Sequence, residues 1–487
     1  MRLHSLVSDA LANTPLPPVD PEITGVCDDS RRVRPGDLFI ARPGVSVDGA
    51  KFVRDAVARG AAAVVTQSPV EGVTAPQVIV PDAAAATSRI AEAFFGRPSR
   101  VLKVLGVTGT NGKTTTAYLI RHILSTLNHA CGMIGTVEID DGRSRVEADM
   151  TTPGAIRVSE LLATMRDNGC RACAIEASSH ALDQGRVAGV TFAGAGFTNL
   201  TGDHLDYHKT MDAYGDAKAK LFATLSPDAV AAVNADSPSH LRMIGNTAGR
   251  VVTFGIDGPA DYRATDYAVT AQGTRFVLTT PDGRADVGTR LVGRHNIENA
   301  LCAITLCCEV FGLPAVVVAG ALRTADGAPG RLQPVATGQP FAVLVDYAHT
   351  DDALRNVLTA LRPLTRGRLR VVFGCGGDRD PTKRPRMAKV AEGLADDVYV
   401  TSDNPRTEDP QAIIRQIVSG FGTAAGGRFI IEPDRRAAID RAIADADSGD
   451  VILIAGKGHE NYQIVGTEKH PFDDAEEARR ALAAVMS

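Results

Sequence analysis

Residues 103–116 read KVLGVTGTNGKTTT, and this stretch decides the fold class of the 487-residue chain. An apolar strand runs into a glycine-rich turn, and Gly112, Lys113 and Thr114 open a segment with apolar residues at the helical positions 119, 120, 123, 124 and 127. Glycines let backbone N–H groups close on a phosphate, and a helix N-terminus favours its negative charge. The lysine adds a cation, and the threonine hydroxyl is suited to Mg²⁺. The stretch therefore predicts a site for an ATP-type nucleotide.

The loop differs in spacing from the common phosphate loop, which has glycine where this chain has Val107. Gly106 and Gly109 make the turn instead. A chance glycine-rich turn is the alternative, but strand, loop and helix follow in the expected order, which favours the nucleotide site. The predicted contacts to the nucleotide lie in one continuous run: Gly109, Thr110, Asn111, Gly112, Lys113, Thr114 and Thr115.

The chain is long enough for about three domains, and turn-rich segments divide it at 95–99 and 326–330. We predict a small N-terminal α/β domain over 1–98, a central ATPase domain of the phosphate-loop type over 99–330, and a Rossmann-like C-terminal domain over 331–487. Strands alternate with helical patterns, which indicates an α/β protein with mostly parallel sheets. In the third segment, apolar strands are expected at 341–346, 369–374, 397–401 and 450–455.

Polar motifs follow each of these four strands: DYAH at 346–349, GCGGDR at 374–379, DNPR at 403–406 and GKGHE at 456–460. Sites in such sheets gather at the carboxyl ends of the strands. The motifs are therefore expected to share one edge of the sheet.

Composition excludes several classes of protein. The chain has 52 Lys and Arg against 57 Asp and Glu, with a net charge of −5, so nucleic acid is not expected as a partner. No apolar run approaches the roughly 18 residues that span a bilayer, and residues 1–15 lack the pattern of an export signal. Most of the eight cysteines lie in apolar stretches, as expected of buried thiols in a reducing cytoplasm. Cys170 and Cys173 form a C-x-x-C motif in a predicted strand over 170–177, but without a second pair a zinc or redox role is not favoured.

Metal chemistry is indicated at two places. Glu176 ends an apolar strand, and residues 199–208, NLTGDHLDYH, contain two histidines and two aspartates. A zinc site is one interpretation, but no cysteine or third histidine joins the segment, and Mg²⁺ beside a nucleotide prefers oxygen ligands. A histidine that bonds a neighbouring loop is the other alternative. Beside the phosphate loop, the magnesium interpretation is favoured.

Five motifs together resemble the Mur ligases: GTNGKT at 109–114, EASS at 176–179, DH at 203–204, GRHNIEN at 293–299 and DYAH at 346–349. The resemblance extends over nearly the whole chain, from 29–31 and 35–39 to 472–474. It departs from the family at Asp351, where proline is usual. Mur ligases are ATP-dependent enzymes that build the peptide of the peptidoglycan precursor. They phosphorylate a substrate carboxylate, and the amine of the incoming amino acid attacks the acyl phosphate.

The resemblance implies a catalytic set of Lys113, Glu176, His204 and Lys218. Lys113 and a Mg²⁺ held by Thr114 and Glu176 would clamp the ATP phosphates. A second Mg²⁺ at His204 would be completed by Lys218, carbamylated on its side-chain nitrogen. Lys220 is the rival position and an ordinary surface lysine the plain alternative, but the frame Lys-x-x-Leu-Phe matches 218.

The same resemblance implies two further groups of contacts. ATP base, ribose and phosphate contacts are expected, where the second domain meets the third, from Asn296, Asn299, Arg331 and Asp346. The nucleotide-sugar substrate is expected to contact Ser30, Thr151, Thr152, Ser178, Gln184 and Arg186. Helix capping by the asparagines, a turn bonded by the threonines before Pro153 and a solvated arginine are the structural alternatives.

The DNPR motif resembles the one that accompanies meso-diaminopimelate, whereas relatives that add lysine lack its arginine. Diaminopimelate is lysine with a second carboxylate, and a guanidinium binds a carboxylate in a bidentate pair. The expected contacts are Arg379, Asp403, Asn404, Pro405, Arg406, Gly456 and Glu460. An Asp403–Arg406 pair that merely closes a turn around Pro405 is the alternative.

The expected enzyme is a cytoplasmic monomer that uses ATP and Mg²⁺ to ligate meso-diaminopimelate to a UDP-N-acetylmuramoyl dipeptide, without nucleic acid or membrane insertion. A lysine-adding relative and a folate polyglutamylating enzyme are the alternatives within the class. From another class, a nucleotide-dependent switch is possible. It is not favoured, because no guanine-reading Asn-Lys-x-Asp motif is present and a switch needs no third domain rich in arginine.

Overall fold

The computed structural model describes residues 1–43, 48–422 and 429–486. It divides into two compact units. The first unit comprises 1–264, 278–285 and 298–321, and the second comprises 265–277, 286–297 and 322–487. Among the described residues, no helix combines the length and the apolar character needed to cross a membrane.

The first unit begins with a four-stranded parallel sheet in the order β1-β2-β3-β4. Apolar residues of α1 and α3 close one core of this sheet, and Asp82 caps α3 by accepting hydrogen bonds from the N–H groups of Ala84 and Ala85. Short 3₁₀ turns lie at Ser30–Arg32 and Gly49–Phe52. The elements are α1 (Leu3–Ala10), β1 (Gly25–Cys27), β2 (Asp37–Ile40), α2 (Val53–Ala58), β3 (Ala63–Thr66), β4 (Gln77–Ile79), α3 (Ala83–Phe94) and α4 (Pro98–Val101).

A larger sheet follows, whose strands from β13 to β8 have the order β13-β12-β11-β10-β5-β9-β6-β7-β8. Its elements are β5 (Lys103–Thr108), α5 (Lys113–Thr126), β6 (Cys131–Ile134), β7 (Glu138–Asp140), β8 (Arg145–Glu147), α6 (Ala155–Asp167), β9 (Ala172–Glu176), α7 (Ser179–Asp183), β10 (Phe192–Phe197), α8 (Leu205–His208), α9 (Met211–Ala223), β11 (Val230–Asn234), α10 (His240–Ile244), β12 (Arg250–Gly255), β13 (Tyr262–Thr270), β14 (Gly273–Thr280), β15 (Gly283–Thr289), α11 (Arg294–Phe311) and α12 (Ala315–Leu322). The strand β5 lies between β10 and β9 and is parallel to both. The phosphate loop therefore leaves the centre of the sheet beside the carboxyl ends of two neighbouring strands.

The C-terminal sheet has the order β16-β17-β21-β18-β19-β20, parallel except for β16. Its elements are β16 (Gln333–Pro334), β17 (Ala342–Asp346), α13 (Asp351–Leu361), a 3₁₀ turn (Arg362–Leu364), β18 (Leu369–Phe373), α14 (Lys383–Leu394), β19 (Asp397–Val400), α15 (Pro410–Val418), β20 (Phe429–Ile431), α16 (Arg435–Ala444), β21 (Val451–Ala455), β22 (Tyr462–Val465), β23 (Glu468–Pro471) and α17 (Asp474–Met486). The helices α13, α14 and α15 cover one face, and α16 and α17 cover the other. Because both faces are buried, the strands are continuous apolar runs, as predicted.

The departure at Asp351 is accommodated by a helix start. Thr350 caps α13 by accepting a hydrogen bond from the N–H of Ala353, and Asp351 is the first helical residue. Its carboxylate lies 3.1 Å from the Arg386 guanidinium. Proline and aspartate both suit the first turn of a helix, the first through its fixed φ and the second through its charge. The substitution therefore leaves the helix start intact.

The C-x-x-C cysteines are structural residues. The strand β9 begins at Ala172, so Cys170 precedes it and the prediction of a strand from 170 is wrong by two residues. Both side chains are buried free thiols, and burial raises the pKa of each. The described part of the chain has no group of three or more His, Cys, Asp or Glu residues placed to hold a metal ion.

Candidate active site

The phosphate loop has a backbone that requires glycine at two positions. Gly109 and Gly112 have φ angles of +152° and +86°. A Cβ atom on Gly109 would lie 1.9 Å from the hydroxyl of Thr198, and one on Gly112 would lie 2.1 Å from the side-chain oxygen of Asn299. The first turn of α5 leaves its backbone N–H groups directed into the loop, as an anion site requires.

Two lysines lie at this loop. Lys113 donates to the carbonyl oxygens of Gly109 and Thr110, at 2.9 and 2.8 Å. Lys218, on α9, donates to the same Gly109 oxygen at 2.8 Å and lies 4.3 Å from the centre of the Tyr214 ring. Two sequence-distant lysines thus converge on one carbonyl group.

Lys218 is almost fully buried, with 1% of its surface exposed. Burial, reinforced by the nearby charge of Lys113, lowers the pKa of Lys218 to about 6. The rival Lys220 instead forms a half-exposed ion pair with Asp183, at 2.7 Å. Of the two candidates, only Lys218 contacts the phosphate loop.

Glu176 ends β9 as a fully buried carboxylate beside the loop. It accepts hydrogen bonds from the hydroxyls of Thr114 and Thr136, at 2.8 and 3.0 Å, and from the N–H of Thr136 at 2.7 Å. A Cβ atom on Gly135 would lie 2.4 Å from a carboxylate oxygen, so glycine is needed there. Sequence reasoning missed Thr136. The available signal was its position just after β6, the neighbour of β9 in the sheet.

His204 lies in a cluster of three histidines. It precedes α8 with a φ of +52°, and its ring nitrogen is 3.5 Å from an oxygen of Asp203. The ring of His180 is centred 4.9 Å from that of His204 and 5.5 Å from that of His208. The expectation that no third histidine joins this segment is therefore wrong, because α7 brings His180 to it from outside the motif. Burial lowers the pKa values of His180 and His208, which favours neutral rings.

The predicted nucleotide-sugar residues fall into two connected groups. Ser30 and Gln184 line one cavity of about 880 Å³, which Arg42 also lines. Arg186 donates to Gln184 at 2.7 and 3.1 Å and to the carbonyl oxygen of Thr152 at 2.7 Å. Arg186 therefore ties the cavity to the loop before α6.

Around that loop, Thr152 donates to the carbonyl oxygen of Glu176 at 2.6 Å and accepts from the N–H of Ser178 at 3.2 Å. The Thr151 hydroxyl is 3.1 Å from that of Thr136. The two threonines thus form hydrogen bonds around the local turn, as the structural alternative predicts. They also lie next to Glu176, the predicted metal ligand. Arg42, paired with Asp28 at 2.9 Å, is a cavity residue that the sequence reasoning missed.

The predicted contacts to the ATP base and ribose belong to both units. Asn299 is in the first unit, against Gly112. Asn296 and Asp346 are in the second, where Asn296 donates to the carbonyl oxygen of Val292 at 2.8 Å. The Asp346 carboxylate accepts backbone hydrogen bonds from Leu332 and Ala348, at 2.7 and 2.9 Å, and burial raises its pKa.

Arg331, also in the second unit, lies over the Tyr347 ring with its guanidinium carbon 5.5 Å from the ring centre. Arg331 and Asp346 are therefore neighbours at the carboxyl end of β17. Asp346 also organises the loop that carries Arg331, through the bond from Leu332.

The DNPR motif follows β19. Arg406 has a φ of +51° and donates to the carbonyl oxygen of Gly377 at 2.7 Å. A Cβ atom on Gly377 would lie 1.9 Å from the carbonyl oxygen of Pro405, so the loops after β18 and β19 pack backbone to backbone. Asp403 lies instead beside Lys457, at 3.5 Å. The alternative in which Asp403 and Arg406 close a turn on each other is therefore wrong.

The remaining predicted amino-acid contacts reach the same sheet edge. Glu460, after β21, accepts a hydrogen bond from the Asn404 amide at 2.7 Å, and Gly456 has a φ of +117° beside the Asp403 carboxylate. Arg379, after β18, is exposed and donates to the carbonyl oxygen of Asp378 at 3.1 Å. Lys457, buried among these groups, was missed by sequence reasoning.

The structure thus contains a glycine-rich loop, a cavity lined by Ser30 and Gln184, and a charged edge of the C-terminal sheet, and comparison with known families identifies the class of protein. Three family models match: the Mur ligase family catalytic domain at 22–95, the Mur ligase middle domain at 107–307, and the Mur ligase glutamate ligase domain at 330–458. The chain belongs to the Mur ligase family and has its three-domain α/β fold, so it is an ATP-dependent ligase and not a nucleotide switch.

Several similar curated proteins carry the name UDP-N-acetylmuramoyl-L-alanyl-D-glutamate–2,6-diaminopimelate ligase. The protein from Gloeobacter violaceus is 46% identical over 99% of this chain and 98% of its own, and that from Bacillus cereus is 42% identical over 100% and 99%. A solved structure of a ligase with this name has a TM-score of 0.74 at 35% identity and covers 96% of each chain. The folylpolyglutamate synthase of Mycobacterium tuberculosis, at 19% identity and a TM-score of 0.60 over 82% of this chain and 95% of its own, shares the fold.

Proposed function

We propose that this protein uses ATP to ligate meso-diaminopimelate to the D-glutamate of UDP-N-acetylmuramoyl-L-alanyl-D-glutamate, in the synthesis of the peptidoglycan precursor. Full-length relatives with that name support the reaction. The observation that carries the choice of amino acid is the loop after β19, where Asn404 donates to Glu460, Asp403 lies beside Lys457, and Arg406 donates to the carbonyl oxygen of Gly377. Arginine, carboxylates and an amide match the carboxylate and ammonium at the far end of diaminopimelate.

The residues around the phosphate loop fit ATP with Mg²⁺. The Thr114 hydroxyl and the Glu176 carboxylate are hard oxygen donors, which Mg²⁺ prefers. Within the described chain, Glu176 is buried with hydroxyl and N–H donors and takes part in no ion pair, so a divalent cation would supply the missing positive charge. ATP supplies the phosphoryl group, and Mg²⁺ offsets its negative charge.

The chain's own residues would then act in two steps. The substrate carboxylate takes the γ-phosphoryl group of ATP to give an acyl phosphate, and ADP leaves. The amine then attacks the acyl carbon, phosphate leaves, and the nitrogen loses a proton as the amide forms. Lys113 would hold the phosphate oxygens, which it can reach by releasing its loop carbonyls. The nucleotide-sugar substrate would be held by Arg186, Gln184 and Ser30. Binding there would bring the carboxylate of its dipeptide toward the phosphate loop.

Lys218 is proposed to carry a carbamate and, with His204, to complete a second Mg²⁺ site. Carbamylation joins the neutral lysine amine to carbon dioxide and releases one proton; counted from the ammonium form, two protons leave and a cation becomes an anionic oxygen ligand. Its burial beside Lys113 and the loop carbonyl supports this assignment, because an anion there would offset the Lys113 charge.

The test is the dependence of phosphate release on the amino acid. Purified enzyme with ATP, Mg²⁺ and the UDP-dipeptide is expected to release phosphate rapidly with meso-diaminopimelate. With L-lysine we expect kcat/KM lower by on the order of 10⁴-fold, because bound lysine offers Arg406 no carboxylate partner. Equal efficiency with the two amino acids would refute the assignment.

A variant separates the role of Arg406 from that of the fold. Arg406→Ala is expected to raise the KM for meso-diaminopimelate strongly. The ratio of kcat/KM for meso-diaminopimelate to that for L-lysine should fall. Arg415→Ala on α15 is the matched control, because Arg415 is exposed and paired with Asp409, the residue that caps the N-terminus of that helix. The control should leave both the KM for meso-diaminopimelate and the preference over L-lysine unchanged.

A further inference from the structure

Lys457 is a fully buried lysine that no step of the proposed function uses. It follows β21 and Gly456. Its ammonium lies 3.0 Å from the side-chain oxygen of Asn404, 3.4 Å from Glu460 and 3.5 Å from Asp403. A buried ammonium is costly unless it is paired and hydrogen-bonded. The three groups that pair it are proposed contacts for the incoming amino acid.

Lys457 fixes the orientation of the Asn404 amide. An ammonium group only donates hydrogen bonds, so it must face the amide oxygen, which also accepts from the N–H of Ile464 at 2.9 Å. The amide nitrogen is thereby turned toward Glu460, to which it donates at 2.7 Å. Without Lys457, the Asn404 oxygen keeps, among the described residues, only the hydrogen bond from the N–H of Ile464, and the Glu460 carboxylate keeps only the one from the Asn404 amide.

Lys457 also sets the charge of the edge. Lys457 lies against the carboxylates of Asp403 and Glu460, at 3.5 and 3.4 Å, whereas Arg406 donates to the carbonyl oxygen of Gly377. Arg406 is the cation proposed to bind the carboxylate of the ligand, and the two carboxylates are proposed to face its ammonium. Removal of Lys457 takes one positive charge away from the two carboxylates, which favours a ligand end that is a lone ammonium, as in lysine.

We infer that Lys457 is a positioning residue that sets the specificity of this ligase for a zwitterionic side chain over a cationic one. The inference rests on the proposed function. Lys457 acts through Asn404 and Glu460, and the amino acid itself is not required to touch it.

The test compares Lys457→Met with Lys389→Met. Lys389 is an exposed lysine on α14, so the control removes the same charge from the surface of the same unit. For Lys457→Met we expect the KM for meso-diaminopimelate to rise by about tenfold to a hundredfold, since charge-assisted bonds and the balance of buried charge are lost. The ratio of kcat/KM for meso-diaminopimelate to that for L-lysine should fall at least tenfold, while the KM values for ATP and the UDP-dipeptide stay within about twofold. Lys389→Met should match the wild type.

Two outcomes would overturn the inference: an unchanged preference for meso-diaminopimelate over L-lysine in Lys457→Met, or an equal rise in the KM of all three substrates. Lys457→Gln, which keeps a hydrogen-bond donor, serves if the methionine variant fails to fold. It should retain part of the affinity for meso-diaminopimelate but lose preference over lysine. If neither variant folds, Lys457 is needed for the stability of the fold, and the proposed role in specificity is overturned. A wild-type enzyme that does not respond to meso-diaminopimelate would instead refute the proposed function.

Discussion

A buried ion pair under the C-terminal sheet edge offers a quantitative test. Arg435 and Asp474 are fully buried, and the guanidinium donates two hydrogen bonds of 2.7 Å to the carboxylate. It also donates to the carbonyl oxygens of Ala455 and Ser402, at 3.0 and 3.4 Å. These carbonyls immediately precede Gly456 and Asp403, so the pair fixes two loops of the proposed amino-acid site.

We expect Asp474→Asn to lower the free energy of unfolding by about 3–4 kcal/mol. Removing one partner of a buried pair typically costs about 3–5 kcal/mol, and here the two carbonyl oxygens continue to stabilise the guanidinium, which favours the lower part of that range. The substitution keeps the shape of the side chain but points an amide N–H at a guanidinium N–H. It does not disturb the start of α17, because Asp473 supplies the capping oxygen there.

The measurement is urea-induced unfolding followed by circular dichroism, since the chain has no tryptophan to report by fluorescence. Asp440→Asn is the matched control: Asp440 pairs with Arg480 at the surface, and exposed pairs contribute about 0–1 kcal/mol. The double variant Arg435→Met/Asp474→Leu should recover most of the lost stability, because it leaves no buried charge. If Asp474→Asn and Asp440→Asn destabilise equally, the argument is wrong.

Two further predictions concern the phosphate loop. Lys218→Ala should nearly abolish turnover while ATP still binds, and added short carboxylates should restore some activity by replacing the lost oxygen ligand; wild-type turnover in the variant would contradict the role. Lys113→Ala and His204→Ala should each fail to form the acyl phosphate, since loss of a cation or a metal ligand at such a site costs orders of magnitude in rate. Trapping of the intermediate at normal yield in either variant would exclude that assignment.

The sequence predicted the elements that depend on local pattern. The strand and helix around the phosphate loop are confirmed at Lys103–Thr108 and Lys113–Thr126. The four apolar strands of the third segment are confirmed to within one residue at each end. A strand buried on both faces must be apolar throughout, so its limits can be read directly from the chain. The domain limits at residues 98 and 330 stay predictions.

Contacts between segments that are distant along the chain could not be predicted from the sequence. Thr136 lies 40 residues before Glu176, and Lys457 lies 53 residues after Asn404. His180 joins the histidine cluster only because α7 follows β9 at the loop edge. Neither a threonine after a strand nor a lysine between two glycines has a pattern of its own. Their roles depend on which strands are neighbours in the sheet, and that order is a property of the whole fold.

Three hydroxyl groups around Glu176 form a chain whose direction is fixed by counting protons. Each hydroxyl has one proton to give, and an ionised carboxylate only accepts. Thr114 and Thr136 therefore both commit their protons to Glu176, and the Thr151 hydroxyl must then donate to Thr136 across their 3.1 Å contact. A phosphate oxygen of a bound substrate can accept the Thr151 proton only if Thr151 stops donating it to Thr136. If a cation takes over the Glu176 oxygens, Thr136 can turn its proton to Thr151, and Thr151 can then donate to a phosphate oxygen. The predicted metal at Glu176 and the predicted substrate phosphate at Thr151 would therefore strengthen each other's binding.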